Sequence, residues 1–419
     1  MTKQRTRVLY LQHSASLGGS CKSLLYTLQA LDLSRYEPIV ALTRPNDLIA
    51  TIYENAGFQT IRWPGIGTFE HTTAHWCPVY SPICWHHNQQ LLRYWKTSLN
   101  RTQQLLHLTQ PHLVHLNSAV LVQAARMLKM SKTPFVWHIR EHPVTGHFGL
   151  RKRWLSFAIQ NWPDAAIFIS KADQHAWAHK DFGVVIPNFV NLSEFSRKEN
   201  ERKHARQNLN LPNDIPVILY MGGLTPVKGI FVLFQALAQL KNRLPNMRCI
   251  MPDSVYQPTG RWQSNLARTI LPLVGTGTLA QQADRMITDL GLGNICLRLP
   301  PQNNIVPSLA AADLLVFPAL EPHFARPVIE AAAMNIPSVA SDLDGTNELV
   351  IPQKTGLLVP PGNSNALASA IFALFSDENQ RMRMGNAARE HAVKIFDANK
   401  SVKRIEALYE QIISRASTQ

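Results

Sequence analysis

Short, continuously apolar runs separated by helix-like stretches fill the first part of the chain. Arg7–Gln12, Glu37–Thr43, Leu113–Asn117, Pro134–Ile139, Ala165–Ser170 and Val184–Pro187 are apolar without alternation, the pattern of strands covered on both faces. A polar segment, Arg197–Arg206, leads through Leu211-Pro212-Asn213-Asp214 into a second series of the same kind. Its predicted strands are Pro216–Met221, Met247–Met251, Asn294–Leu299, Leu314–Pro318, Pro337–Ser341 and Gly356–Val359. After the first of these, Ile230, Leu233, Phe234, Leu237 and Leu240 recur at three- and four-residue spacing, which predicts a helix with one buried face. Strand–helix alternation of this kind predicts parallel sheets with helices on both sides. The expected fold is α/β, with two doubly wound Rossmann-like domains facing each other across a cleft. The predicted division is 1–190 for the first domain, 191–215 for a linker, 216–395 for the second domain, and 396–419 for a final helix returning to the first. Two segments lack a clear period, the Trp- and His-rich Ile61–Lys96 and Pro252–Leu279.

Charge changes this picture in one respect. Met1 to Val190 holds 19 Lys/Arg against 9 Asp/Glu, whereas Asn191 to Gln419 holds 23 against 19. The first half is therefore the basic one, and it suits an anionic partner or a solvated basic surface. The basic start, Met1 to Arg7, precedes an apolar run from Val8 to Leu11, too short for a secretory signal. Leu309–Leu320, the longest apolar candidate, is interrupted by Asp313 and Pro318, and a bilayer span needs about 20 apolar residues. A cytoplasmic protein is expected, with peripheral attachment to the inner face of a membrane as a further option. Cys21, Cys77, Cys84, Cys249 and Cys296 are scattered and odd in number, which argues for buried thiols and against disulfides or a zinc site.

Several turns carry candidate chemistry. Gly222-Gly223-Leu224-Thr225-Pro226-Val227-Lys228-Gly229 joins a strand to a helix, where Lys228 suits a phosphate at the helix's positive end. A plain turn with a surface lysine fits the same residues. Glu330 follows a strand and opens a helix, placed either to accept ribose hydroxyls or simply to complement a helix N-terminus. Ser341 to Glu348 forms a turn whose amides suit an anion. Its Asp342 and Asp344 are better explained as helix-capping residues than as metal ligands. His138 ends a strand in His138-Ile139-Arg140-Glu141-His142, as a polar contact, a proton-handling group or a structural histidine.

Taken in order, these segments resemble glycosyltransferase family 4, retaining enzymes of the GT-B fold. The resemblance runs from about Ala165 to Leu367, through Ser170-Lys171-Ala172, Ile186-Pro187-Asn188-Phe189-Val190-Asn191, the Gly222–Gly229 turn, Glu330-Ala331 and Thr355-Gly356-Leu357. It implies a nucleotide-sugar donor whose diphosphate meets Lys228 and Gly222 and whose ribose meets Glu330. It further implies backbone contacts from Gly345, Thr346 and Asn347, closure by Gly18 and Gly19, and His138 near the transferred sugar. Metal and other cofactors are not expected, because cations and helix ends neutralise the leaving diphosphate. Two departures stand out. Gly223 replaces the family's usual arginine, which suggests Arg326 as a substitute cation. The glutamate preceding Glu330 is displaced to Glu321, so either the loop bulges by one residue or His323 and the Phe324-Ala325 backbone take over contacts to the donor sugar.

The acceptor, a glycan or lipid-linked molecule, is expected on the basic first domain. Arg140 and Glu141 are candidate contacts there. Lys152, Arg153 and Trp154 are candidates for the acceptor or an anionic membrane, unless these aromatics pack the domain's own core. A non-catalytic homologue acting as a partner subunit and a nucleotide-sugar epimerase remain as alternatives. Nucleic-acid binding lacks a motif beyond charge.

Overall fold

The computed structural model describes residues 5–14, 18–69, 71, 89, 93–179, 181–196, 199–253 and 278–417. Most of the two aperiodic segments, with Leu17, Cys77 and Cys84, lies outside these residues. The chain divides into two compact units, Met1–Asn191 with Ile395–Gln419, and Leu192–Lys394.

The first unit is built on seven strands: β1 (Thr6–Gln12), β2 (Tyr36–Leu42), β3 (Gln59–Arg62), β4 (Leu113–Leu116), β5 (Phe135–Ile139), β6 (Ala165–Phe168) and β7 (Val184–Val185). They pair in parallel in the order β3-β2-β1-β4-β5-β6-β7. Burial explains why six of them were legible. The strands β1, β4 and β5 are covered on both faces, so their sequences are apolar runs. Strand β3 is different. It is a partly exposed edge strand, Gln-Thr-Ile-Arg, with no apolar run to announce it. The final helix, Ala398–Ser417, belongs to this unit, tied by Ala398 N–H to the Val190 carbonyl at 3.1 Å and Arg404 Nη2 to the Val185 carbonyl at 2.7 Å.

The second unit holds β8 (Val217–Leu219), β9 (Arg248–Pro252), β10 (Cys296–Leu299), β11 (Leu314–Phe317), β12 (Ser338–Ser341) and β13 (Gly356–Val359), again parallel, in the order β10-β9-β8-β11-β12-β13. The predicted amphipathic helix spans Ile230–Leu240 and buries Ile230, Leu233, Phe234, Leu237 and Leu240. The polar segment read as a linker contributes a helix, Glu199–Asn208, that is anchored in this unit by a fully buried Arg206. Arg206 Nη1 donates to the carbonyls of Pro212, Asn213 and Ile215, and Nε donates to that of Ala311. Its Nη2 lies 2.7 Å from Asp313 Oδ2, which also accepts Val217 N–H at the start of β8.

In each sheet the winding direction reverses once, between β1 and β4 and between β8 and β11. Ligands of open parallel sheets bind beyond the carboxyl ends of the strands at such a reversal.

Candidate functional site

At the reversal in the second unit, the turns that follow β8 and β11 are stitched together. Leu320 N–H donates to the Val227 carbonyl at 2.9 Å. Gly229 adopts φ +75°, and a Cβ there would collide with the Pro318 carbonyl. Glycine is therefore needed for both conformation and approach. The buried Tyr220 hydroxyl lies within hydrogen-bonding reach of both the Gly223 and Lys228 carbonyls, at 3.1 and 3.3 Å, and so fixes both ends of the turn. A side chain at Gly222 would meet that hydroxyl. Gly223 sits at φ +61°, so the position that lacks the family's arginine is occupied by a residue suited to the left-handed region.

This scaffold presents Lys228 at the end of the 3-10 turn Pro226–Lys228. Its ammonium is 5.6 Å from the Phe317 ring centroid, and the His323 ring stacks on Phe317 at 5.8 Å. Burial pulls the Lys228 pKa down to about 7, and the nearby Glu321 carboxylate opposes that fall. Burial, with Lys228 beside it, holds His323 well below the usual imidazole range. Lys228 is thus half-buried, with no hydrogen-bonded carboxylate among the described residues.

The loop after β11 is locked onto the turn after β12. Thr346 Oγ1 donates to the His323 carbonyl at 2.7 Å, and His323 N–H donates to the Asp344 carbonyl at 3.1 Å. The three expected phosphate-binding amides need correction. Thr346 and Asn347 N–H both donate to the Leu343 carbonyl, at 3.0 and 2.9 Å, because the turn closes on itself. Gly345, at φ +84°, is the one of the three whose N–H carries no hydrogen bond among the described residues. The N–H groups of Phe324 and Ala325 are likewise uncommitted, whereas that of Arg326 donates to the Phe324 carbonyl. A Cβ on Gly345 would stand 3.2 Å from Phe324 N, so these amides are neighbours. The available cradle is thus Phe324, Ala325 and Gly345.

Glu330 lies in the second turn of the helix Arg326–Ala333 with its side chain 2% exposed. Arg326 Nη1 is 3.6 Å from Glu330 Oε1. The structure therefore places the candidate substitute cation beside the carboxylate, whose charge it offsets. Glu321 is exposed, consistent with the displaced position.

At the reversal in the first unit, β1 and β4 end in a buried polar network. Gln12 Oε1 accepts Asn117 Nδ2 at 2.7 Å, and Asn117 Nδ2 also donates to the Ser20 carbonyl at 3.1 Å. Gly18 caps the helix Gly19–Ala30 just beyond β1. His138, 1% exposed, stands 3.2 Å from His115 through Nδ1. Arg140 and Glu141 are not free acceptor contacts. Arg140 spends Nε on Asn117 and Nη1 on Asn188, at 2.8 and 2.5 Å. Glu141 accepts the Ser118 hydroxyl and the amides of Ala119 and Arg140. Both side chains build the floor of the network.

Known proteins show what the second unit is similar to. Residues 201–391 match the family described as Glycosyl transferases group 1. These residues resemble a group 1 glycosyl transferase domain. A D-inositol 3-phosphate glycosyltransferase of Corynebacterium urealyticum is 29% identical over 238 residues, 56% of this chain and 52% of that protein. The GDP-mannose-dependent alpha-(1-6)-phosphatidylinositol monomannoside mannosyltransferase of Mycolicibacterium smegmatis is 26% identical over 249 residues, 56% of this chain and 59% of its own length. The chain thus spans little more than half of these relatives. Anabaena HepE, solved with UDP and glucose, superimposes with a TM-score of 0.76 at 21% identity over 97% of this chain and all of that one. Sucrose-phosphate synthase of Thermosynechococcus elongatus gives 0.75 at 20% identity, covering 98% and 100%. Both units share the GT-B arrangement of parallel Rossmann-like sheets.

The second unit contains Lys228, Glu330 and the free amides, all signalled by local motifs. The expected basic–aromatic stretch lies in the first unit on the helix Leu150–Asn161. Its Leu155, Ala158 and Ile159 are buried, while Leu150, Phe157 and the preceding Phe148 are exposed, Phe148 by 96%. Trp154 divides its surface, 38% exposed yet within 6.1 Å of the Phe69, Trp95 and Trp162 rings. The buried-core and exposed-surface readings each hold for part of this helix. Tyr409 and His115 were not signalled at all. They meet at 2.6 Å across 294 positions of sequence.

Proposed function

We propose that this protein is a retaining glycosyltransferase that moves a hexose-type sugar from a nucleotide-diphosphate-sugar to a glycan or lipid-linked acceptor, without a metal. The observation that carries the reading is Lys228 beside His323, in a loop whose Phe324 and Ala325 amides, with that of Gly345, are uncommitted and which opens the Glu330 helix, within the segment that matches the group 1 model. A diphosphate supplies a direct counter-charge to Lys228, and the amides stabilise charge that grows on the leaving group. The buried Glu330 accepts two ribose hydroxyls. The relatives named for sugar transfer to inositol phosphate and to a phosphatidylinositol mannoside, and the solved homologue holding UDP and glucose, support this substrate class.

Stabilisation of the protein by UDP-, GDP- or ADP-sugars in the presence of EDTA, followed by donor hydrolysis with the best binder, tests the proposal. Stabilisation by none of them refutes it. Binding without turnover favours a partner subunit instead, a reading to which Gly223 and the exposed Glu321 lend weight. A lipid-linked acceptor also fits the surface of the first unit. Phe148, Leu150 and Phe157 stand exposed around Arg151, Lys152 and Arg153, and no acidic residue lies between His142 and Pro163. Apolar side chains flanked by cations suit an anionic bilayer face.

A further inference from the structure

The position that lacks the family's arginine is fixed by its backbone. Gly223, at φ +61°, offers its carbonyl to two donors, the Thr225 N–H at 2.9 Å and the Tyr220 hydroxyl at 3.1 Å. The Tyr220 ring is buried in the core of the second unit, just beyond β8, so the hydroxyl stands at a fixed point. Its single proton is also within reach of the Lys228 carbonyl, 3.3 Å away. Gly222 lies against both partners: a Cβ there would overlap the hydroxyl and stand 2.8 Å from Lys228 Cβ. The stem of Lys228 therefore starts from a packed cluster with Tyr220 and Gly222. A side chain at φ +61° crowds its Cβ against a backbone carbonyl, and glycine avoids that strain. An arginine at 223 would favour a different φ, and rotation about that bond moves the carbonyl that Tyr220 holds.

We infer that Tyr220 is a positioning residue whose hydroxyl pins the Gly222–Gly229 turn so that Lys228 meets the donor's diphosphate, and that glycine at 223 serves this pin. The inference rests on the glycosyltransferase reading for the identity of the anion. The turn then presents one cation by design of its backbone. Gly223 is a requirement of that backbone and no mark of lost activity, and restoring the arginine would loosen the lysine that remains. A hydroxyl shared by two buried carbonyls is well suited to the task, because leaving either carbonyl without its donor is unfavourable.

Tyr220→Phe removes the hydroxyl and keeps the ring. Competitive acetylation of the ligand-free full chain across a pH series, read by mass spectrometry on the Lys228 peptide, reports where the amine loses its proton. Burial holds that midpoint at about 7 in the wild type. Without the pin, water reaches the amine and the midpoint should rise to about 8 or higher. Glu321 and His323, the titratable groups beside this amine, are untouched by the substitution. A role in stability alone would lower Tm and leave the midpoint in place, and that result overturns the inference. Gly223→Ala and Gly223→Arg should each weaken binding of UDP-, GDP- or ADP-glucose, whichever binds the wild type, about fivefold or more. The arginine variant should bind no more tightly than the alanine one. An arginine variant that binds more tightly than the wild type also overturns the inference. Should Tyr220→Phe fail to fold, the two Gly223 variants decide. Failure of every nucleotide-sugar to bind the wild type overturns the transferase reading beneath, and the Lys228 midpoint then tests the pin by itself.

Discussion

Raising the pH from about 6 to about 8 removes the proton from Lys228 in the empty protein, because burial has lowered its pKa to about 7. A nucleotide-sugar carries its diphosphate as a diester, doubly ionised throughout this range, and its arrival beside the amine restores the ammonium. Binding should therefore take up protons: about 0.1 at pH 6, about 0.5 at pH 7 and about 0.9 at pH 8. The sign follows from the direction of the shift. The bound state has the higher pKa, so affinity is fully present below the free value and is lost as pH rises through it. Between pH 6 and 8 the Kd should weaken about tenfold, or about 1.4 kcal/mol. His323 adds nothing to the uptake, being held well below its usual range and therefore neutral. Isothermal titration in buffers of different ionisation enthalpy reads the proton number directly. Lys228→Met should bind weakly and without uptake. Tight binding at pH 8 with no proton taken up, or an unchanged pH dependence in Lys228→Met, would refute the argument.

The remaining predictions address other parts of the chain. Glu330→Gln keeps the shape of its side chain but loses the carboxylate's hold on ribose hydroxyls, so donor affinity should drop by about 1.5–3 kcal/mol in a binding titration. A drop of similar size for the free base without ribose would count against this assignment. Arg206→Met removes a fully buried cation from Asp313 and four carbonyls, and should destabilise the second unit by about 3–5 kcal/mol, lowering Tm by about 10 °C. Calorimetry showing an unchanged transition would refute it. Phe148→Ser should reduce sedimentation with phosphatidylglycerol vesicles several-fold at low salt without altering nucleotide-sugar binding, because Phe148 is 96% exposed and packs against little of the protein. Equal sedimentation of variant and wild type would remove the membrane role.

Some of the fold was legible because burial leaves a direct mark on composition. A strand covered on both faces must be apolar throughout, so β1, β4, β5, β8 and β11 stand out as continuous runs. Strand β3, with its two ends exposed, escapes that rule and was not anticipated. The Gly222–Gly229 turn was legible for a different reason. The left-handed Gly223 and Gly229, and the close approach of Gly229 to the Pro318 carbonyl, leave glycine as the fitting residue, and Lys228 follows from its place between them. Glu330 was visible through its place in the ordered motifs.

The sequence by itself determined the alternation of strands and helices, the basic character of the first half and the local motifs around Lys228 and Glu330. The tertiary structure decided which polar groups remain uncommitted. Thr346 and Asn347 lost their candidate amides to the Leu343 carbonyl, a consequence of how one turn closes, which residue types alone do not specify. Arg140 and Glu141 are committed to hydrogen bonds within the first unit, because Asn117, Asn188, Ser118 and Ala119 converge on them from distant segments. Tyr409 reached His115 across 294 positions because the final helix packs on the first unit. Burial is recorded residue by residue in the sequence. The pairing of hydrogen-bonding groups is a property of pairs, and the chain must fold before those pairs exist.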